Sequence, residues 1–293
     1  MPFAFNKTVR LHWQERGQGA PIILIMGHRT SSLMAYPVLD RLAADRRVIW
    51  FDNRGTGQSD TSSKASFRDF ADDVLAVMDA AGVRQAHVFG TSMGGGIALE
   101  FGLRYPERAL SLILGCTMIM TPDKPRMPLW LSPVYFLPPV LLKILFTPKQ
   151  ANHGYGSAAD PDAVAEDLRM AARDRFSVVG VYAQGRAIAN YVLTLEEAST
   201  LTVPALVMHG DEDSVVPYAG GVELARTLPQ ATLVTLEGAG HNYLVARPDE
   251  SLSAITTFLD RMDAQGPGSL SSGLPGTAAS NASQASGAFS VID

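Results

Sequence analysis

The sequence has almost no cysteine: Cys116 is the single one among 293 residues, which excludes an internal disulfide. Cys116 ends the apolar segment 109–116, and a cysteine in such a place is typical of a buried core thiol. Blocks of Lys and Arg are also missing, and the formal net charge is only −5. Nucleic acid and anionic membrane surfaces bind clustered positive charge, so we do not expect either as a partner.

Long hydrophobic runs are lacking as well. Residues 1–7 contain no apolar signal core, which predicts a cytoplasmic protein. The most apolar stretch, residues 129–146, is interrupted by three prolines and a lysine. A membrane-spanning helix needs about 20 continuous apolar residues, so we expect no membrane span.

Signatures of metals and organic cofactors are absent from the sequence. No group of His, Cys, Asp and Glu has metal-ligand spacing, and no Gly-x-Gly-x-x-Gly follows a predicted strand. We therefore expect no metal and no cofactor. The expected binding partner is a small-molecule substrate, and the expected assembly is a monomer or a homodimer.

The sequence does contain a regular alternation of strand and helix patterns. Continuous apolar runs predict buried strands at residues 22–26, 47–52, 87–90, 109–116, 204–209 and 231–236. An alternating pattern at residues 9–15 predicts an early hairpin strand. Segments with helical periodicity separate most of them. This alternation predicts the α/β class, with a mostly parallel central sheet that is covered by helices on both faces.

The alternation is interrupted once, and this predicts the domain organisation. Residues 1–116 and 201–263 are predicted to form the two parts of one core. Residues 117–200 are helical and proline-rich, which predicts an inserted helical unit between them. Residues 264–293 are rich in Gly, Ser and Ala with almost no charge, so we expect a disordered tail.

The most informative motif lies in residues 87–96, where a predicted strand leads through Gly-x-Ser-x-Gly into a predicted helix. This is the pattern of a nucleophile elbow, a tight turn that presents a serine hydroxyl. Gly90 and Gly94 flank Ser92 at the two positions where strand and helix approach most closely. The motif predicts that Ser92 is a nucleophile.

A catalytic base is predicted downstream at His241. It follows the strand at residues 231–236 through a short glycine-rich loop, which places it at the carboxyl edge of the sheet, where the elbow also opens. A serine hydroxyl attacks only weakly unless a base removes its proton, and an imidazole exchanges protons near neutral pH. By contrast, His209 is predicted to be a structural residue at a strand end.

Four segments together resemble the α/β-hydrolase superfamily, and within it the capped esterases, enol-lactonases and carbon–carbon hydrolases. These segments are residues 51–60, 90–94, 209–217 and 238–241. The resemblance covers about residues 11–262. It implies the α/β-hydrolase fold, with residues 117–200 as the cap.

The catalytic acid has three neighbouring candidates, Asp211, Glu212 and Asp213. In the family the acid lies three residues after the glycine that ends the strand and shortly before a Val-Pro pair. Gly210 and residues 216–217 match that spacing for Asp213. The resemblance thus favours Asp213 as the acid that orients the histidine, with Asp211 as the alternative.

The resemblance also implies an oxyanion hole made of two backbone N–H groups. Met93, directly after the nucleophile, is expected to supply one, and His28 the other. In the commonest pattern of the family, a histidine stands directly before the glycine of this loop. In this chain Met26 occupies that position, before Gly27. The side chains of His28 and Arg29 are expected either to contact a polar substrate group or to form a solvated part of the loop.

The cap carries many large apolar side chains, and some of them are expected to line a substrate pocket. The candidates are Trp130, Tyr135 and Phe136, for which ordinary packing within the cap is the alternative.

The sequence thus predicts a serine hydrolase that cleaves a small ester or lactone through an acyl-enzyme. A carbon–carbon bond hydrolase with the same triad is the second hypothesis. The third is a hydrolase-like receptor that binds a ligand with slow or no turnover. Acyl specificity is not predicted, because it depends on the geometry of the cap.

Overall fold

A computed structural model describes residues 2–122 and 154–265, together with the backbone of residues 291 and 292. The strands of these parts form one sheet in the order β1-β2-β4-β3-β5-β6-β7-β8-β9. The strands are β1 (Phe3–Asn6), β2 (Val9–Arg16), β3 (Pro21–Ile25), β4 (Arg47–Phe51), β5 (Ala86–Thr91), β6 (Ala109–Gly115), β7 (Ala205–Gly210), β8 (Ala231–Leu236) and β9 (Val291–Ile292).

The centre of the sheet is parallel, as predicted. Strands β4, β3, β5, β6, β7 and β8 pair in parallel. At one edge, β2 pairs antiparallel with both β1 and β4, and at the other edge β9 pairs antiparallel with β8. The short strand β1 was not among the predicted strands; a turn at Lys7, with φ of 55°, connects it to β2.

Helices connect the strands and cover both faces of the sheet. They are α1 (Tyr36–Leu42), α2 (Phe67–Ala80), α3 (Met93–Arg104), α4 (Pro161–Ala171), α5 (Val178–Asn190), α6 (Leu195–Ser199), α7 (Tyr218–Thr227), α8 (Tyr243–Ala246) and α9 (Pro248–Gln265). Local sequence determines where several of them begin. Ser66 and Asp69 form a capping box before α2, and Asp160 caps α4.

Strand β3 shows how the sequence builds a core on each side of the sheet. Successive side chains of a strand point to opposite faces. Ile23 and Ile25 accordingly pack in the cluster that contains residues of α2, α3 and α7, and Ile22 and Leu24 pack in the cluster with α1, α8 and α9. All four are completely buried, which explains the continuous apolar run.

Between β6 and β7, the described residues form helices α4, α5 and α6 and their connecting turns. This segment is hydrogen-bonded to the loop after β4. The Gly57 N–H donates to the Arg175 carbonyl at 2.7 Å, and the Ser177 N–H donates to the Gly55 carbonyl at 2.8 Å. The division into core, cap and tail stays a prediction. Of the predicted tail, residues 264 and 265 are the last two of α9, and residues 291 and 292 form β9, which pairs with β8. The rest of the tail and residues 123–153 lie outside the described residues.

None of the helices in residues 2–122 and 154–265 has the length and hydrophobicity needed to cross a membrane.

A buried histidine near the amino end of β5 links the sheet to α9. His87 Nδ1 lies 2.8 Å from Ser111 Oγ, and its Nε2 lies 3.0 Å from Asp263 Oδ1. Burial lowers the pKa of His87 from its ordinary value, and the charge of Arg46 acts in the same direction. The Asp263 carboxylate opposes this shift but does not outweigh it, so the folded protein holds the ring in its neutral form.

This buried histidine predicts a loss of stability at mildly acidic pH. Below about pH 6.5 the unfolded chain takes up a proton at His87 that the folded chain does not. The free energy of unfolding therefore decreases as the pH is lowered. His87→Gln removes this group, so the free energy of unfolding of the variant should decrease less steeply than that of the wild type from about pH 7.5 to 5.5. The two slopes should differ by at most about 1.4 kcal/mol per pH unit. Urea unfolding of both proteins across this range measures the difference, and parallel curves would contradict the prediction.

Candidate active site

Ser92 occupies the sharp turn between β5 and α3. Its φ of 56° and ψ of −120° lie in a region that residues other than glycine rarely adopt. The surrounding backbone holds it there: the Ser92 N–H donates to the Gly115 carbonyl at 2.7 Å, and the Ser92 carbonyl accepts from Gly95 and Gly96. The turn therefore has the geometry that the Gly-x-Ser-x-Gly motif predicts.

The two motif glycines are required by close backbone contacts. A Cβ atom added at Gly90 would lie 2.0 Å from the Gly94 carbonyl oxygen. One added at Gly94 would lie 2.1 Å from the Ile25 carbonyl oxygen. Neither backbone oxygen can move aside without displacing β3 or α3, so any side chain at these positions distorts the turn around Ser92.

We expect Gly90→Ala to lower the free energy of unfolding by about 3 kcal/mol and to reduce kcat, because the added methyl displaces the turn that carries Ser92. Gly154→Ala is the matched control, since a Cβ there would meet only Asn242 Nδ2, at 3.8 Å. Its stability should change by less than about 0.5 kcal/mol. Urea unfolding and turnover of both variants provide the measurement, and equal losses would argue against a packing role for Gly90.

Asp213 and His241 form a close hydrogen-bonded pair at the carboxyl ends of β7 and β8. His241 Nδ1 lies 2.8 Å from Asp213 Oδ2. The other carboxylate oxygen, Oδ1, accepts the N–H groups of Val215 at 2.8 Å and Val216 at 2.9 Å. The Asp213 side chain is completely buried, whereas that of His241 is 15 % exposed. The histidine is thus the member of the pair that a substrate can reach.

The surroundings keep Asp213 ionised. Burial alone would raise the pKa of its carboxyl, but hydrogen bonds from His209 and His241, the charge of His241 and the Val216 N–H outweigh it. Together they hold the pKa of Asp213 well below its usual range. A carboxylate in this state orients the imidazole and stabilises its cation.

The loop that carries His241 is anchored by residues from the segment between β6 and β7. The Gly240 N–H donates to the Tyr155 carbonyl at 2.8 Å, and the Asn242 N–H donates to the Gly154 carbonyl at 2.7 Å. On the other side of the loop, Asp211 Oδ1 accepts the Gly238 N–H at 2.7 Å. These contacts restrain the backbone on both sides of the histidine.

Asp211 and Glu212 have roles separate from the buried pair. Asp211 is exposed and holds the loop through Gly238. Glu212 accepts hydrogen bonds from the Ser157 N–H and hydroxyl, at 2.6 and 2.7 Å. Of the three neighbouring acids, Asp213 is the one that hydrogen-bonds His241.

The end of β6 connects the serine turn with the histidine loop. Gly115 accepts the Ser92 N–H, and the next residue, Cys116, lies with its Sγ 4.0 Å from the Gly240 carbonyl oxygen. Ser92, Asp213 and His241 follow β5, β7 and β8, which are parallel strands of one sheet. All three therefore lie at its carboxyl edge, the usual place of active sites in α/β sheets.

The loop after β3 runs beside Ser92, where the second oxyanion donor is predicted. A Cβ atom at Gly27 would lie 3.3 Å from Ser92 Cβ, so the backbone before His28 is close to the nucleophile. The His28 side chain contacts the segment between β6 and β7, where its Nε2 lies 3.0 Å from the Val181 carbonyl oxygen. Burial lowers the pKa of His28, and the charge of Arg29 lowers it further. The hydrogen bond to the Val181 carbonyl raises this pKa but does not outweigh the other two effects.

Arg29 also contacts the segment between β6 and β7. Its N–H donates to Gln184 Oε1 at 2.9 Å, and its guanidinium carbon lies 4.9 Å from the centroid of the Phe176 ring. Both His28 and Arg29 thus join the loop after β3 to the region of α5, a role that the sequence did not predict. Trp130, Tyr135 and Phe136, predicted to line a pocket, lie outside the described residues.

His209, predicted to be a structural residue at a strand end, contacts the candidate acid, which the sequence did not predict. Its Nε2 lies 3.3 Å from Asp213 Oδ2 and 3.0 Å from the Val216 carbonyl oxygen. The sequence does indicate that the two residues are close, because only four positions separate the strand-end His209 from the predicted acid Asp213.

Cys116, His209 and Asp213 bring three potential metal-ligand atoms within 4.8 Å of one another. The chemistry of this group does not favour a metal. Burial raises the pKa of the Cys116 thiol well above its ordinary value, and the charge of Asp213 acts in the same direction, so the thiolate ligand is disfavoured. Both oxygens of Asp213 already accept hydrogen bonds from His241 and from backbone N–H groups.

The chain is similar to known hydrolases over most of its length. It is 27% identical to the pimeloyl-[acyl-carrier protein] methyl ester esterase of Aliivibrio salmonicida, over 87% of this chain and 98% of the relative. It is 25% identical to the 2-hydroxymuconate semialdehyde hydrolase of Pseudomonas putida, over 87% and 92%. The solved enol-lactonase of Burkholderia xenovorans has 25% identity and a TM-score of 0.74, over 88% of this chain and 100% of that one.

The family model described as "alpha/beta hydrolase fold" matches residues 20–248, well over half of the chain. This match includes β3, the Ser92 turn, and the Asp213 and His241 loops. It agrees with the parallel sheet and with the resemblance carried by the sequence motifs. The chain therefore belongs to the α/β-hydrolase family.

Proposed function

We propose that this protein is a serine hydrolase that cleaves a small carboxylic ester or lactone through an acyl-enzyme. The observation that carries the proposal is the buried Asp213 carboxylate, which binds the partly exposed His241 at the same sheet edge where Ser92 occupies its strained turn. A relative that is a methyl ester esterase and a structural neighbour that is an enol-lactonase support this substrate class.

In the proposed acylation step, Ser92 Oγ attacks the carbonyl carbon of the substrate. His241 Nε2 takes the hydroxyl proton, while Asp213 stabilises the imidazolium through the 2.8 Å hydrogen bond to Nδ1. Negative charge develops on the carbonyl oxygen. The N–H groups of Met93 and His28 are the proposed donors for it, and Met93 is also the first residue of α3, whose N-terminal dipole favours an anion.

The tetrahedral intermediate then collapses and the bond to the leaving oxygen breaks. The imidazolium returns its proton to this oxygen, releasing an alcohol from an ester or leaving a hydroxyl on the acyl chain of a lactone. In deacylation, His241 removes a proton from water, which attacks the acyl-enzyme. The carboxylic acid leaves and Ser92 regains its proton.

A carbon–carbon bond hydrolase is the second candidate, favoured by the similarity to a 2-hydroxymuconate semialdehyde hydrolase. It would use the same three residues on a vinylogous diketone. The two candidates differ in their substrates and share the nucleophile.

Two measurements test the proposal. A fluorophosphonate probe should modify Ser92, identified by mass spectrometry of the labelled peptide, and Ser92→Ala should remain unlabelled. Turnover is then compared for p-nitrophenyl acetate, butyrate and octanoate, for an enol-lactone and for a vinylogous diketone. The highest kcat/KM should occur with an ester or lactone.

Other outcomes lead to other functions. Preference for the diketone supports the carbon–carbon hydrolase. Ligand binding without turnover, and without labelling of Ser92, supports the receptor hypothesis and contradicts the proposal.

A further inference from the structure

His209 is a buried histidine of β7 whose ring faces the candidate catalytic acid. Its Nε2 lies 3.0 Å from the Val216 carbonyl oxygen and 3.3 Å from Asp213 Oδ2. The side chains of His209 and Asp213 are both completely buried. The proposed mechanism gives this ring no task, although it lies against the carboxylate that binds His241.

The hydrogen-bond pattern assigns the tautomer of this ring. A carbonyl oxygen only accepts hydrogen bonds, so Nε2 must carry a hydrogen. Within the described residues Nδ1 is buried and has no hydrogen-bond partner. A Cβ atom at Gly221 would lie 2.3 Å from Nδ1, so the backbone of α7 packs directly against this nitrogen. His209 thus presents an Nε2–H that is shared between Val216 and Asp213.

This ring completes the set of donors around the carboxylate. Oδ1 of Asp213 accepts two backbone N–H groups, and Oδ2 faces two imidazole nitrogens, those of His241 at 2.8 Å and His209 at 3.3 Å. A carboxylate accepts about four hydrogen bonds in total. The Cys116 thiol also faces this carboxylate. With these groups around it, the carboxylate cannot rotate without losing a charge-assisted hydrogen bond.

We infer that His209 is a positioning residue, which holds Asp213 Oδ2 toward His241 and helps to keep the carboxylate ionised. The inference rests on the proposed function, because it assigns His209 a part in orienting the catalytic base. It concerns a residue that does not touch the substrate and acts through Asp213.

The alternative is a purely structural role, in which His209 only binds the Val216 carbonyl and shapes the loop after β7. A structural role affects the stability of the fold. A positioning role affects kcat and the pH dependence of kcat/KM as well, because the N–H dipole of His209 offsets part of the negative charge that His241 experiences.

The test compares three variants. His209→Leu removes the donor. His209→Gln places an amide N–H near the former Nε2, and His209→Asn places its amide near the former Nδ1, away from Asp213. We expect the Leu and Asn variants to lower kcat about tenfold with little change in KM, and the Gln variant to recover most of this loss.

The pH profile gives the second measurement. Without the His209 N–H, the carboxylate stabilises the protonated form of His241 more strongly, so the acidic limb of kcat/KM should move to higher pH in the Leu and Asn variants. His87→Leu is the matched control, since it is another buried histidine of the sheet, bonded to Ser111 and Asp263 away from the carboxyl edge. It should lower Tm and leave kcat and the pH profile unchanged.

The outcomes separate this inference from the proposed function. If Ser92 is labelled and required but all three His209 variants keep the wild-type kcat and pH profile, the positioning role is wrong and the proposed hydrolase stands. A Gln variant as impaired as Leu and Asn also contradicts the role of the donor. If Ser92→Ala retains full activity, the proposed function itself fails. The Asn variant provides the non-donating comparison if His209→Leu does not fold.

Discussion

Ser92→Ala should lower kcat by about a hundred-thousandfold, and His241→Ala should have a comparable effect, because nucleophile and base act as one unit. The double variant should be hardly worse than either single one, since removing one member already abolishes the function of the other. Steady-state turnover of the best ester or lactone, with a correction for spontaneous hydrolysis, measures the three effects.

Ser111→Ala is the matched control for the serine. Ser111 is also buried in the sheet, on the neighbouring strand β6, where it binds His87. Its removal should lower stability by about 1 kcal/mol and leave kcat nearly unchanged. Near-normal turnover of Ser92→Ala would exclude the acyl-enzyme mechanism. Strictly additive losses from Ser92 and His241 would show that the two residues act independently.

Asp213→Asn should lower kcat by about ten-thousandfold. The N–H groups of Val215 and Val216 require an oxygen at one side of the side chain, so the amide NH₂ of asparagine must face His241. His241 Nδ1 then accepts a hydrogen bond, and its hydrogen moves to Nε2. In that tautomer Nε2 has no lone pair with which to take the proton of Ser92.

Asp211→Asn is the matched comparison, two residues away. Its side-chain oxygen can still accept the Gly238 N–H, so the loop that carries His241 stays anchored. We expect its kcat within about threefold of wild type, because a disturbance of about 0.5 kcal/mol in the activation free energy changes the rate by no more than that factor. The pair of kcat values identifies the acid. The reverse ranking would assign the role to Asp211.

The sequence predicted the features that depend on local pattern. The continuous apolar runs predicted the parallel strands because residues such as Ile22 and Ile23 are buried on opposite faces of one sheet. The glycines around Ser92 predicted the turn because close backbone contacts exclude side chains there. The family spacing from Gly210 favoured Asp213, and in the structure this is the acid that binds His241.

Contacts between distant parts of the chain were not predictable in the same way. His28 binds Val181, 153 positions later, and Arg29 binds Gln184 across 155 positions. No periodicity or motif encodes such pairs, because they depend on how the segment between β6 and β7 lies on the sheet. The contact between His209 and Asp213 is local in sequence, so it was easier to predict. A histidine at the end of a buried strand is nevertheless expected to be structural, and its hydrogen bond to the acid was therefore not predicted.

The anchoring of the His241 loop by Gly154 and Tyr155 affects how the enzyme can be redesigned. A chimera that takes the whole segment between β6 and β7 from a relative would also replace the two residues whose carbonyl groups hold the backbone beside His241. A transplant that ends before residue 154 keeps these carbonyl groups with the parent sheet. A junction placed ahead of Gly154 therefore preserves the support of the His241 loop when the residues before it are exchanged.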